Sequence, residues 1–60
     1  MKEITLKEYF DNCPLVDEYF FENGNTYVFE IGGFYELVYC DKENNILDTF
    51  CIQHYSANLE

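Results

Sequence analysis

The chain contains no arginine and only three lysines, against twelve acidic residues, so its formal net charge at pH 7 is −9. A charge of that sign and size repels phosphate groups, and binding to nucleic acid or to anionic lipid is therefore not expected. The same field attracts basic surfaces, and proteins that handle nucleic acids are the commonest owners of large basic surfaces. The charge therefore predicts a basic protein partner and no direct contact with nucleic acid.

The sequence also lacks a long apolar run. Residues 1–6 contain nothing like the roughly 7–15 consecutive apolar residues of a secretory signal. No stretch approaches the roughly 20 apolar residues of a membrane-spanning helix. We therefore expect a cytoplasmic protein that makes no contact with a membrane.

Recognisable catalytic motifs are missing as well. Cys13, Cys40 and Cys51 are an odd number of cysteines with no CxxC spacing, so neither a disulfide framework nor a zinc site is expected. A nucleophilic pair of a cysteine with His54 is the catalytic alternative, but the chain has no nucleophile elbow and no glycine-rich phosphate loop. The cysteines are interpreted as small apolar fillers and His54 as an exposed residue at a strand end. We expect neither enzyme activity nor a cofactor.

Residues 41–45 (DKENN) superficially resemble an oxygen-rich loop for calcium or magnesium. The stretch is too short for an EF-hand, lacks its invariant glycine and closing glutamate, and carries Lys42 in its middle. A solvated turn without a metal ion is therefore the favoured interpretation.

Aromatic residues are abundant, with six Phe and six Tyr among 60 residues. A chain of this length buries only about 60% of the surface that its unfolded form exposes, so its margin of stability is thin. Each aromatic side chain can bury roughly 150–250 Å² and so offsets the small size. A hydrophobic content of 48% argues against disorder. The composition predicts one folded domain over residues 1–60.

The beginning of the chain predicts a short helix. Thr5 and Glu8 form a capping-box pattern, so the helix should begin at Leu6. Pro14 cannot continue the helix, which limits it to about two turns. One apolar stripe along this helix has the spacing i, i+3, i+4 and i+7 and consists of Leu6, Tyr9, Phe10 and Cys13.

The remaining chain predicts β-strands separated by turn signals. Two-residue turns are predicted at Asn23-Gly24, because Asn-Gly favours the positive φ of a hairpin turn, and at Gly32-Gly33. The predicted strands are residues 15–22, 25–31, 34–40 and 46–55, and residues 56–60 are expected to be loose. The sequence thus predicts an α+β domain, a short N-terminal helix packed on a four-stranded antiparallel β-meander in the order α-β-β-β-β.

Two-residue turns also fix which side chains share a face of the predicted sheet. The more apolar face, which we expect the helix to cover, collects Val16, Glu18, Phe20, Tyr27, Phe29, Ile31, Phe34, Glu36 and Val38. The opposite face collects Asp17, Tyr19, Phe21, Val28, Glu30, Tyr35, Leu37 and Tyr39. That second face carries more aromatic surface than contact with water alone would favour. The register of the fourth strand stays open by one residue, so either Phe50 and Ile52 or Thr49 and Cys51 face the core.

The acidic residues of the predicted sheet form the candidate binding site. On the predicted register Asp17 lies opposite Glu30, and a like-charge pair of this kind costs up to about 1 kcal/mol. Glu18 and Glu36 flank Phe29 on the other face. A basic partner would relieve the repulsion, so the predicted partner-binding residues are Asp17, Glu18, Tyr19, Glu30, Tyr35, Glu36 and Tyr39. The alternative is that these carboxylates only keep an aggregation-prone sheet soluble and prevent its edge strands from pairing with other chains.

In size, charge and aromatic content, the chain is similar to the small acidic inhibitors made by bacteriophages and mobile elements. These include anti-CRISPR, anti-restriction and DNA-glycosylase-inhibitor proteins, and the likeness is one of type that depends on no motif. It implies a DNA mimic that blocks the basic nucleic-acid-binding surface of a host defence or DNA-processing protein. The alternative is a small structural or assembly module that homodimerises through a tyrosine-rich sheet face.

Overall fold

The computed structural model describes residues 4–53. One helix, α1 (Leu6–Asn12), precedes four strands, which are β1 (Leu15–Phe21), β2 (Gly24–Ile31), β3 (Phe34–Asp41) and β4 (Ile46–Gln53). The strands form one antiparallel sheet in the order β1-β2-β3-β4. The predicted α-β-β-β-β meander is thereby confirmed. The predicted exposure of His54 and the predicted loose tail, residues 56–60, concern residues outside the described range.

Helix α1 begins and ends where the sequence predicts. The Thr5 side chain accepts a hydrogen bond from the Glu8 N–H, and the Glu8 carboxylate accepts one from the Thr5 N–H, which completes the capping box. Pro14 follows the last turn. Since α1 has only seven residues, it depends on packing against the sheet for its stability. Within residues 4–53 there is no helix of the length and apolar character that crossing a membrane requires.

The core lies between α1 and one face of the sheet, which we call the helix side. Tyr9 stacks on Phe29 with ring centroids 5.2 Å apart. Phe10 meets the rings of Tyr27 and Phe29 edge-on. The buried cluster consists of Tyr9, Tyr27, Phe29, Val38 and Cys40, with Leu6, Cys13 and Ile46 packed against it. The helix therefore covers the face that the sequence pattern assigned to the core.

The first hairpin differs from the prediction. Its turn is formed by Glu22 and Asn23, and Phe21 pairs with Gly24, so the predicted Asn23-Gly24 turn is wrong. Gly24 is a buried residue of β2, where a Cβ atom would overlap the carbonyl oxygen of Cys40 on β3. The close approach of two backbones, and not a positive φ, is what requires glycine at this position.

The turn position changes the partners of β1 but not the face on which each of its residues from Asp17 onward lies. Each of these residues pairs with a β2 residue two positions away from its predicted partner. Because side chains on a strand alternate between the faces with a period of two, a shift of two positions leaves every side chain on its predicted face. Asp17 lies opposite Val28 and not opposite Glu30. The predicted like-charge pair is therefore wrong, and with it the expectation that repulsion between Asp17 and Glu30 destabilises the free protein.

The second hairpin has the predicted turn and the predicted register. Gly32 and Gly33 have φ angles of 54° and 89°. Residues other than glycine rarely adopt such positive values. Ile31 pairs with Phe34 directly across the turn. This hairpin follows from the local sequence alone, because the two glycines can adopt the turn conformation without steric cost.

The structure settles the register of β4. Thr49 lies opposite Val38 on the helix side, so Phe50 and Ile52 lie on the opposite face, where they are 57% and 40% exposed. No element within residues 4–53 covers that opposite face, and we call it the open face. Its side chains are those of Val16, Asp17, Tyr19, Phe21, Thr26, Val28, Glu30, Tyr35, Leu37, Tyr39, Asp48, Phe50 and Ile52.

A β-bulge in β1 adds Val16 to the open face. Leu15 and Asp17 pair with the consecutive residues Phe29 and Val28, which leaves Val16 between them as the extra residue. Val16 lines the same surface depression as Asp17 and Val28. Its predicted place on the helix side is therefore wrong, because a bulge shifts the alternation of side chains by one residue.

Candidate protein-binding surface

The centre of the open face is a shallow apolar surface. Val28 and Leu37 lie side by side on the two central strands, and Val28 is buried by its neighbours. Large side chains that are substantially exposed surround them, namely Val16, Tyr19, Phe21, Tyr39, Phe50 and Ile52. Contiguous exposed surface of this kind marks interaction sites in folded proteins. The open face is therefore the candidate binding surface.

The charged groups of the open face are carboxylates. Asp17 lies on β1, Glu30 on β2 and Asp48 on β4, around the apolar centre. None of the four described strands contains a lysine, an arginine or a histidine. The lysines within residues 4–53 are Lys7 on α1 and Lys42 in the loop after β3. Within the described part of the chain, the open face thus combines aromatic contact area with carboxylates and carries no cationic side chain.

The Asp17 carboxylate is held in one orientation. Its Oδ2 accepts a hydrogen bond from the Tyr19 hydroxyl at 2.8 Å, and its Oδ1 accepts one from the Glu18 N–H at 2.9 Å. The hydrogen bond to Asp17, together with the negative charge of Asp17, raises the pKa of Tyr19. Each carboxylate oxygen retains a further lone pair for an outside donor. The Asp17 carboxylate is therefore already oriented in the free protein.

Aspartates also protect the two edges of the sheet, which are formed by β1 and β4. Asp48 accepts a hydrogen bond from the Thr49 N–H at 2.9 Å, as Asp17 does from the Glu18 N–H. A backbone N–H that is held by a neighbouring carboxylate is withdrawn from pairing with an added strand. This arrangement disfavours the addition of a further strand at either edge.

The structure brings most of the predicted binding residues together. Those on the open face are Asp17, Tyr19, Glu30, Tyr35 and Tyr39. Glu18 and Glu36 lie on the helix side. Glu36 is opposite Phe29, but Glu18 is opposite Tyr27, so the prediction that both flank Phe29 is wrong for Glu18. The reason is the shifted register of the first hairpin.

Glu36 connects the helix to the sheet. Its Oε2 accepts a hydrogen bond from the Tyr9 hydroxyl at 3.2 Å, and the side chain is half-buried beneath α1. A charged acceptor makes this a stronger bond than one between neutral groups. Glu36 therefore contributes to the packing of α1 on the sheet and does not belong to the open face.

The contact of Tyr9 with Glu36 predicts a loss of stability at alkaline pH. Burial, followed by the charge of Glu36 and the hydrogen bond to it, raises the pKa of Tyr9 from 10.0 to about 12. Because the folded-state pKa is the higher one, the stabilisation is complete below pH 10 and is lost as the pH rises to about 12. At about 1.4 kcal/mol per pKa unit, that loss is about 2–3 kcal/mol.

Urea unfolding at several pH values between 9 and 12 tests this expectation (roughly the range in which the phenol titrates). Burial also raises the pKa of the Cys40 thiol, and its ionisation adds to the pH dependence, so the comparison is with Tyr9→Phe. The variant should lose less unfolding free energy between neutral and alkaline pH than the unmodified chain. An equally steep fall in both proteins would contradict the role of Tyr9.

The cysteines differ in their surroundings. Cys40 is buried in the core cluster, and Cys13 packs against that cluster, as expected of apolar fillers. Burial raises the pKa of the Cys40 thiol, which disfavours the nucleophilic thiolate. Cys51 is exposed on β4, so the interpretation as a small apolar filler is wrong for this cysteine.

The loop after β3 forms a turn closed by its own hydrogen bonds. The Asp41 carboxylate accepts hydrogen bonds from the backbone N–H of Glu43 and from both the backbone and the side-chain N–H of Asn45. The bonds from Asn45 lower the pKa of Asp41. Within residues 4–53, no three His, Cys, Asp or Glu side chains are grouped as a metal site requires. The Asp41 oxygens serve the conformation of the loop.

The sequence analysis left Asp48, Phe50 and Ile52 of the open face unassigned to either face of the sheet. All three lie on β4, whose register the sequence left open by one residue. Their alternation along the strand would have indicated a common face once Thr49 was placed beneath the helix. Val16 gave no such signal, because a bulge has no signature in the local sequence here.

Comparison of the chain with protein families, with curated proteins and with solved structures finds no match. Its function must therefore be inferred from the surface itself. The features available for that inference are the apolar centre of the open face, its carboxylates and the protected edges of the sheet.

Proposed function

We propose that the protein is a small acidic inhibitor that binds a basic protein surface with its open face. The target surface is the nucleic-acid-binding site of a host defence or DNA-processing protein, as for the inhibitors made by bacteriophages and mobile elements. One observation carries the proposal: among residues 4–53, exposed aromatic side chains and carboxylates share the open face without a cationic side chain. The carboxylates take the place of phosphates, and the aromatic side chains supply desolvated contact.

Charge favours a basic partner over a second copy of the chain. Each copy carries a net charge of −9, so self-association through the open faces brings like charges together. A basic surface gains attraction and covers the same apolar centre. The protein is accordingly proposed to act in the cytoplasm by binding, with neither catalysis nor a cofactor.

The alternative function, an assembly module that homodimerises through the open face, is favoured by one observation. Phe21 and Phe50 are 63% and 57% exposed on that face, and a second copy would bury both. Salt distinguishes the two functions. Competition for a nucleic-acid site should weaken steeply as ionic strength rises, whereas aromatic self-association should not.

Two neighbouring phenylalanines provide a matched test. Phe21 on the open face and Phe20 on the helix side are 63% and 66% exposed. Phe21→Ser should weaken inhibition by about 30-fold, the effect of a residue that contributes about 2 kcal/mol to binding. Phe20→Ser should change inhibition by less than about threefold, because it removes similar surface from the other side.

The experiment begins with capture of the partner from a bacterial lysate at low and high salt. The captured protein is then bound to labelled duplex DNA, and its displacement by each variant is followed by fluorescence anisotropy. Displacement that weakens with salt and with Phe21→Ser supports the proposal. A partner that keeps its DNA in the presence of saturating protein would refute it, and a salt-insensitive dimer in sedimentation would favour the assembly module.

A further inference from the structure

A depression near the centre of the open face combines an apolar floor with one charged group. Val28 and Leu37 line its floor, and Tyr19 and Tyr35 stand beside them. Asp17 is the charged residue of its lining. The depression has a volume of about 340 Å³, which is near the lower limit of about 300 Å³ for small-molecule sites. It is therefore large enough for one long side chain.

We propose that this depression receives one arginine side chain of the basic partner. The inference rests on the proposed function, which supplies a nucleic-acid-binding surface as the source of the arginine. An arginine side chain has an apolar stem and a charged head, and the depression has an apolar floor and a carboxylate at its border. The apolar stem of the arginine therefore matches the apolar floor, and its charged head matches the carboxylate.

The Asp17 carboxylate is oriented to receive the guanidinium group. Hydrogen bonds from the Tyr19 hydroxyl and the Glu18 N–H occupy one lone pair on each oxygen. Each oxygen keeps one lone pair, and a guanidinium group can donate one N–H to each of them, as in a bidentate arginine–carboxylate pair. Substitution of the carboxylate therefore removes both the charge and the paired acceptors.

Arginine fits the depression better than lysine does. The planar guanidinium stacks on aromatic rings such as those of Tyr19 and Tyr35, and it is more weakly hydrated than an ammonium group. A lysine would bring one compact, strongly hydrated charge that cannot form the bidentate pair. The selectivity for arginine over lysine is therefore a specific consequence of the proposal.

An NMR titration of the full isolated chain tests the site without any partner. The probe is N-acetyl-arginine N′-methylamide, compared with the corresponding citrulline and lysine compounds. The arginine compound should shift the amide signals of Asp17, Val28 and Leu37 and saturate in the millimolar range, as expected for a ligand of this size. Its affinity should exceed that of the uncharged citrulline compound by about tenfold.

Matched variants complete the experiment. Asp17→Asn should abolish the advantage of arginine over citrulline, whereas Glu18→Gln, an equal loss of charge on the helix side, should preserve it. The same spectra show whether each variant is folded. Shifts spread evenly over acidic residues on both faces, or equal affinity for arginine and citrulline, would overturn the arginine site.

The outcomes also separate this inference from the proposed function. If a captured partner releases its DNA to the protein while the arginine compound leaves the depression unshifted, the arginine site is wrong and the inhibitor function stands. If the arginine compound binds as expected while no partner loses its DNA, the site is supported and the inhibitor function fails.

Discussion

Phe29→Ala is expected to leave the chain largely unfolded at room temperature. Phe29 is completely buried, and its ring contacts those of Tyr9 and Phe10 at 5.2 and 5.4 Å. Removing a buried phenylalanine side chain costs about 3–5 kcal/mol, because the transfer free energy is lost and a cavity remains. A domain of this size has about 3–5 kcal/mol of stability in total. One substitution therefore removes most or all of the margin.

Circular dichroism during urea unfolding measures the effect, and Phe20→Ala is the control. Phe20 is 66% exposed, and its ring lies nearly perpendicular to that of Tyr27, with ring centroids 6.4 Å apart. Its loss should cost about 1 kcal/mol or less. If Phe29→Ala retained a cooperative transition and lost no more stability than Phe20→Ala, the stacked rings beneath α1 would not be the main source of stability.

Local signals predicted the elements of the fold. The Thr5–Glu8 capping box is a property of four consecutive residues, and the structure contains both of its hydrogen bonds. The Gly32-Gly33 turn likewise follows from two glycines that can adopt positive φ. Such features depend on their immediate neighbours, so they can be derived without knowledge of the rest of the chain.

The turn of the first hairpin was predicted wrongly because Gly24 is required by a contact with another strand and not by the turn itself. Gly24 is required by the closeness of the Cys40 carbonyl group on β3, which the local sequence does not reveal. The Asn-Gly pattern therefore indicated the wrong turn, and the predicted pairing of Asp17 with Glu30 failed with it. Cross-strand partners are a more demanding prediction than faces, because a two-residue shift changes every partner and no face.

The same distinction explains how much of the candidate site was predictable. Asp17 and Tyr19 were assigned to the correct face because a two-residue shift preserves side-chain alternation, and Tyr35 because the register of the second hairpin was predicted correctly. Glu18 and Glu36 were grouped with them by charge, although alternation places both on the helix side. The contribution of β4 depended on one residue of register, which only packing against β3 determines.

Thin stability and the open face are connected. One helix of seven residues can cover only one side of a four-stranded sheet, so within residues 4–53 the aromatic side chains of the other side have no covering element. A partner that binds only the folded chain would stabilise it by about 2.7 kcal/mol at a concentration 100 times its Kd. Protection from unfolding by the captured partner is therefore an expected accompaniment of its binding.

Charge reversal at two neighbouring positions of β1 should show which face binds. Asp17→Lys and Glu18→Lys change the net charge equally, on exposed residues that lie on opposite sides of the sheet. Asp17→Lys should weaken binding of the basic partner by about 100-fold or more. The substitution replaces an oriented carboxylate with a cation, which repels the cationic group of the partner. Glu18→Lys should weaken binding by less than about tenfold, because it acts only through the screened long-range field.

Melting curves of both variants first establish that they remain folded, since Asp17→Lys also removes the hydrogen bond from Tyr19. Affinity for the partner is then measured at low and high salt. The loss from Glu18→Lys should disappear at high salt, while much of the loss from Asp17→Lys should persist, because a desolvated contact is screened less than an exposed charge. Equal losses that vanish together at high salt would show that net charge alone attracts the partner. In that case the open face would have no special role, and the carboxylates of both faces would act as one diffuse acidic surface.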